Sequence, residues 1–181
     1  MLTNLMIAGF GGQGVLFTGK IIANTGLLEG KEVSWLPSYG PEMRGGTANC
    51  SVCVDDEPIG CPIVLEPDIL IAMNVPSFDK FIGKVTKGGC VVYDSSLIEA
   101  EQTREDIRYR PIPATELAAR HHLDKFANIV LLGYTLQAVH FTSYETVCEA
   151  IKACVPKSKQ KLLTPNLDAL RLGYEFQETK S

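Results

Sequence analysis

Short apolar runs alternate along the chain with longer stretches whose apolar positions recur at helical spacing. Leu5–Ala8 is unbroken and apolar and predicts a buried strand. Val15–Leu28 carries Val15, Ile21, Ile22, Leu27 and Leu28 with small residues between them. That spacing predicts a helix laid on a sheet, and Gly30 ends it. Val33–Leu36 predicts a second strand. Pro37–Gly46, rich in Pro and Gly, predicts a loop. Thr47–Val54 alternates and predicts a strand closed by the turn Asp55-Asp56-Glu57-Pro58. Further along, Ile69–Met73 reads as a parallel-type strand and Ser77–Val85 as a helix. Lys87-Gly88-Gly89 turns into a strand at Cys90–Tyr93. Arg108–Pro113 predicts a weak strand near a sheet edge, because two prolines cluster there. Helices are predicted at Thr115–His122, from an Asn128 N-cap to Val139, and at Tyr144–Cys154. A last helix runs from Asn166 to about Gln177, capped by Thr164-Pro165.

Strands alternating with helices predict one three-layer α/β/α domain over residues 1–181. The sheet should be mixed but mostly parallel, since no helix separates the strands between Val33 and Met73. The first β-turn-α unit is Rossmann-like. At 181 residues and 45% hydrophobic, the chain can bury a sizeable core. A net charge of −4 with no Lys/Arg block argues against nucleic acid as a partner. No apolar stretch reaches membrane-spanning length. No signal peptide is read at the start. With six cysteines in a chain of this kind, the expectation is reduced thiols in a cytoplasmic protein.

The first candidate chemistry is Gly9-Phe10-Gly11-Gly12-Gln13-Gly14, a G-x-G-x-x-G between strand and helix. Gly9 and Gly11 would allow a sharp turn, Gly14 close helix–sheet packing, and the helix-start amides of Gly11, Gly12, Gln13 and Gly14 an anion. A dinucleotide site also needs an acidic residue at the end of the second strand, roughly 20 residues on. That strand ends Val33-Ser34-Trp35-Leu36-Pro37, and Glu32 stands at its wrong end. A turn that only packs and a phosphate site for another ligand both stay open. The loop after the second strand sets Tyr39, Glu42 and Arg44 among Gly40, Gly45 and Gly46. An Arg fork there suits a carboxylate or phosphate; an internal Glu42–Arg44 pair is the other possibility.

Three further groups need weighing. Cys50-x-x-Cys53 followed by Cys61 resembles metal-ligand spacing, but residues three apart on a strand point to opposite faces. His121-His122 are adjacent on a helix end and read as solvated. Asp94-Ser95-Ser96, after a strand, suits either a ligand edge or the cap of the next turn.

Taken together, Gly9–Val15, the run Ser38-Tyr39-Gly40-Pro41-Glu42-Met43-Arg44-Gly45-Gly46, Pro67–Asn74 and Asn128–Gly133 resemble the gamma subunit of 2-oxoacid:ferredoxin oxidoreductases. That family includes pyruvate, 2-oxoisovalerate, 2-oxoglutarate and indolepyruvate forms. The resemblance implies oxidative decarboxylation of a 2-oxoacid with coenzyme A to acyl-CoA, with ferredoxin reduced. It also implies alpha, beta and delta or ferredoxin-like partner subunits that carry thiamine diphosphate, Mg and iron–sulfur clusters. The isolated chain would then be inactive and would self-associate through surface meant for partners. Consistent with this division of labour, the sequence has no four-cysteine cluster run. Gly11, Gly12, Gln13, Gly14, Tyr39, Glu42 and Arg44 would face the coenzyme A side of the complex. A freestanding nucleotide- or NAD-binding enzyme and a ligand-free interaction domain remain the alternatives.

Overall fold

In the computed structural model, residues 2–38 and 48–177 are described. They form strands β1 (Thr3–Gly9), β2 (Glu32–Ser38), β3 (Ala48–Asp55), β4 (Ile69–Ala72), β5 (Cys90–Asp94) and β6 (Arg108–Ile112). The helices are α1 (Val15–Leu28), α2 (Val75–Ile82), α3 (Ala114–Arg120), α4 (Ala127–Val139), α5 (Tyr144–Cys154) and α6 (Leu163–Tyr174). A 3-10 segment, Lys157–Leu162, leads into α6.

The strands make one sheet in the order β2-β3-β1-β4-β5-β6. β1 is parallel to β4, β4 to β5 and β5 to β6. β3 runs against both of its neighbours. This is the mostly parallel, mixed sheet that the sequence predicts.

The period of two along each strand divides the core. Leu5, Ile7, Ile69, Ile71, Cys90 and Val92 face α1, α4, α5 and α6, whereas Met6, Ala8, Leu70, Ala72, Val91 and Tyr93 face α2. The second layer is therefore thin, with Phe78 and Phe81 of α2 assisted by Val64, Val85, Ile98 and Ile107 from loops. α4 is buried from Asn128 to Leu136. It crosses α6 closely enough that a Cβ on Gly133 would stand 2.1 Å from the Leu170 carbonyl oxygen, and one on Gly173 1.9 Å from that of Val130. Glycine at both positions lets the two backbones touch.

Several boundaries differ from expectation, each for a local reason. β2 continues through Pro37 and Ser38, because it is an edge strand and a missing N–H on its outer side breaks no ladder bond. α2 starts at Val75, capped by Asn74, whose Oδ1 accepts from Ser77 N at 2.9 Å. α6 starts at Leu163, three residues before the predicted Asn166, with Thr164 and Pro165 inside its first turn, where the missing proline N–H is unneeded. Asn128 is no cap: it lies inside α4, behind Phe126 at the N-cap position.

Candidate functional site

β1 and β4 are adjacent and parallel, but their connections leave in opposite directions, β1 toward β2 and β4 toward β5. The crevice between their carboxyl ends is a topological switch point, the place where open α/β sheets bind ligands. The glycine turn lies there. Gln13 holds it shut: Oε1 accepts from Phe10 N at 2.6 Å and from Asn74 Nδ2 at 2.9 Å, and Nε2 donates to Met73 O at 3.1 Å. Gln13 thus ties the end of β1 to the end of β4.

The glycines do unequal work. Gly12 and Gly14 have φ of +93° and +81°. A Cβ on Gly14 would also lie 2.4 Å from Asn128 Nδ2, so the close approach it permits is to α4 and not to the sheet. Gly11 has no left-handed φ, and a Cβ added to it would meet no atom within 4 Å; the sharp turn expected of it is made by its neighbour Gly12.

Asn128 is the main residue that the sequence pattern misplaces. Its Nδ2 donates to Thr18 Oγ1 at 3.1 Å and reaches Gly14 O at 3.4 Å, which locks the first turn of α1 to the first turn of α4. Neither helix start has a side-chain cap. Two sets of free backbone N–H groups therefore stand beside one another, a preformed attraction for negative charge.

A cleft of about 420 Å³ opens in front of them, lined by Gly12, Gln13, Met73, Asp94, Lys125 and Asn128 among others. Asp94, 2% exposed, accepts from Ser96 N at 3.0 Å, Thr115 N at 3.2 Å and Thr115 Oγ1 at 2.5 Å. It caps the following turn and the start of α3, and it also forms part of the cleft wall. Lys20, Lys125 and Lys159, which surround an adjoining cleft, carry no sequence signal, because they come from segments far apart in the chain.

The loop residues Tyr39, Glu42 and Arg44 lie outside the described residues. Cys50 and Cys53 occupy opposite faces of β3, in separate clusters of the core. Burial pushes the Cys50 thiol up to about 12, against smaller opposing hydrogen bonds from Trp35 and Gly19. His121 and His122 are exposed at the end of α3. Among the described residues no group of three or more His, Cys, Asp or Glu is placed to hold a metal ion. The dinucleotide arrangement is broken in a second way as well. Antiparallel β3 stands between β1 and β2, so the end of β2 is not beside the turn where a ribose partner would be needed.

A family model described as pyruvate ferredoxin/flavodoxin oxidoreductase matches residues 4–176. The chain belongs to that family. The ketoisovalerate oxidoreductase subunit VorA of Methanothermobacter thermautotrophicus is 42% identical over 94% of this chain and 35% of its own length. This chain thus spans about a third of that relative. The 2-oxoglutarate synthase subunit KorC of Methanocaldococcus jannaschii is 36% identical over 97% of this chain and 94% of its own. The keto/oxoacid ferredoxin oxidoreductase gamma subunit of Geobacter sulfurreducens superposes with a TM-score of 0.82 at 26% identity, covering 96% of each chain. The 2-oxoglutarate:ferredoxin oxidoreductase of Magnetococcus marinus, solved with 2-oxoglutarate, coenzyme A and succinyl-CoA bound, superposes at 0.85 and 26% identity over 95% of this chain and 30% of that one. The unit is thus a whole subunit in some members of the pyruvate ferredoxin/flavodoxin oxidoreductase family and one part of a longer chain in others.

Proposed function

We propose that this chain is the gamma-type part of a 2-oxoacid:ferredoxin oxidoreductase. The complex oxidatively decarboxylates a 2-oxoacid with coenzyme A to acyl-CoA and CO2 and passes the electrons to ferredoxin. The observation that carries this reading is the family match along nearly the whole chain, residues 4–176. Alpha, beta and delta or ferredoxin-like chains hold the thiamine diphosphate, Mg and iron–sulfur clusters; the thiols described above, divided between the two faces of the sheet, do not suit a cluster. Thiamine diphosphate supplies the carbanion chemistry, and this chain's own part is to bind and orient.

Its ligand on this reading is coenzyme A, taken at the switch-point crevice. Two uncapped helix starts offer N–H donors to a polyanion, and Gly11 and Gly12 keep side chains out of its way. The same ligand is the partner read for Tyr39, Glu42 and Arg44. Support comes from the described residues on either side of positions 39–47: Ala48 pairs with Gly9, and Ser38 with Asn49 beside it. The choice of 2-oxoacid lies with the partner chains, which fits relatives named for ketoisovalerate and for 2-oxoglutarate at 42% and 36% identity.

The test is co-expression with the partner subunits and assay of a 2-oxoacid panel for coenzyme A-dependent ferredoxin reduction. Activity should need this chain and be absent from it alone. A complex that is fully active without it would end the proposal. Within an active complex, Arg44→Ala should weaken apparent coenzyme A affinity about tenfold, the loss expected of a charge-assisted hydrogen-bonded pair. Unchanged affinities and turnover would make the loop structural.

A further inference from the structure

The segment between β3 and β4 holds no helix or strand. It lies over the thin face of the sheet, where Ile59 and Val64 pack against the same cluster as Cys53. Between those two anchors Cys61 is exposed, whereas Cys53 is 1% exposed. The Cys53 thiol is aimed at this segment and donates to Pro62 O at 3.9 Å. That carbonyl belongs to the residue directly after Cys61. The Cys61 thiol is turned along the segment instead and donates to Ile63 O at 3.9 Å. Burial pushes the Cys53 thiol up, and the nearby Cys61 thiol adds to the rise. The other four cysteines, Cys50, Cys90, Cys148 and Cys154, belong to the core of the opposite face. Cys53 and Cys61 are therefore the two thiols of the thin face, one guarded and one open to solvent. A disulfide joins Cα atoms about 4.4–6.8 Å apart, so closing the pair takes a swing of Cys61 toward the sheet. A Cβ at Gly60, just before it, would meet no atom within 4 Å, so the segment has room to turn there.

We propose that Cys53 and Cys61 form a reversible oxidative modification site whose disulfide reshapes the apolar groove of the thin face. Ile63 and Val64 line that groove, of about 500 Å³, together with Met6, Leu36 and Phe81. The chain that leads into them is the chain that must turn. The oxidant is a small-molecule disulfide. Exposed Cys61, as thiolate, attacks one of its sulfurs; that S–S bond breaks and the first small thiol leaves, taking up the proton that Cys61 lost. Cys53 then gives up its proton and attacks the Cys61 sulfur of the mixed disulfide. The Cys53–Cys61 bond forms, and the second small thiol leaves with that proton. The protein loses two electrons and two protons, and the small disulfide gains both. The order follows from access, because an oxidant reaches the exposed thiol first.

The full chain, fully reduced and then exposed to glutathione disulfide, is mapped by mass spectrometry without reduction. Wild type should lose two hydrogens per chain, join the peptides that hold Cys53 and Cys61, and return to the dithiol in dithiothreitol. Cys53→Ala should stop at the mixed disulfide on Cys61. Cys61→Ser, at an exposed position, should fold as wild type and form no link to Cys53. Amide exchange across residues 57–65 should slow about threefold or more in the oxidised chain, as expected of a tethered segment. The proposal is overturned by a wild-type chain that stays reduced, that halts at the mixed disulfide, or that links Cys61 between two copies. It is equally overturned by a Cys53–Cys61 bond that leaves exchange at 57–65 unchanged. If Cys53→Ala fails to fold, Cys61→Ser and the exchange measurement still decide.

Discussion

Gly11 and Gly14 belong to one short motif, yet only one of them is required by the chain's own packing. Gly14 combines a left-handed φ with a Cβ position 2.4 Å from Asn128. Gly14→Ala should therefore cost about 2–4 kcal/mol, from backbone strain together with displacement of a buried amide. Gly11→Ala meets open space and should stay within about 0.5 kcal/mol of wild type. Urea unfolding of the two variants checks both values. A Gly11→Val chain that folds normally but gives a complex with impaired coenzyme A turnover would assign the glycine to the ligand rather than to the turn. The motif was legible in the sequence, but this division of labour was not, because Asn128 arrives from more than a hundred positions later. Of the cysteines, Cys50 and Cys53 were legible, because strand parity puts them on opposite faces, whereas Cys61 is exposed rather than buried. Burial raises the thiols of Cys50, Cys53, Cys90, Cys148 and Cys154. Raised folded-state values mean that their contribution to stability is complete below the ordinary thiol value of 9.0. It is lost as pH climbs from there toward about 12 for Cys50, since only the unfolded chain releases those protons. Thermal midpoints should be flat across neutral pH and fall above about pH 9. Limiting alkylation followed by mass spectrometry should label exposed Cys61 first.

α4 and α6 set the geometry on which the site depends, and their crossing is the most tightly specified contact between elements. A methyl at Gly133 would enter the Leu170 carbonyl and approach Tyr174 N at 2.9 Å. Both obstacles are backbone, so no rotamer change relieves them. Gly133→Ala should force the helices apart, cost at least about 3 kcal/mol and loosen the Asn128 tie to α1. Guanidinium unfolding would show the first effect, and a loss of anion binding in the surviving folded fraction the second. A drop of less than about 1 kcal/mol would mean that the crossing is not rigid. The helices and strands themselves were readable, because the apolar period of two or near four is a local property. Their junctions were less so. Asn128 looks like a cap from its neighbours, and only the buried environment of the whole α4 start turns it into a tether. Pro37 looks like a break until β2 proves to be an edge strand.

At the scale of the molecule, among the described residues, the sheet carries five helices on one face and only α2 with loop segments on the other. On the thin face, apolar groups beside edge strand β2 are exposed among the described residues. Leu36 and Ile63 line a shallow groove with Met6, Val64 and Phe81, and Ile63 and Leu65 are 58% and 75% exposed. Single exposed apolar residues need no explanation, but a groove of them rimmed by polar groups marks a contact surface. In relatives in which this unit is about a third of a longer chain, other parts of the protein are on hand to cover such a surface. For the 181-residue chain, a partner subunit or another copy can take that place. The chain alone should therefore self-associate, as a dimer, at micromolar to millimolar concentration. Ile63 and Leu65 lie outside the regular elements and are largely solvated, so charging them leaves the core intact. The double change Ile63→Lys, Leu65→Lys should shift sedimentation from dimer to monomer without altering the thermal midpoint. If the same pair also blocks co-purification with partner subunits, dimer and complex compete for one face. A wild-type chain that sediments as a monomer throughout that range would show that the thin face is content with water and that the partner contact lies elsewhere.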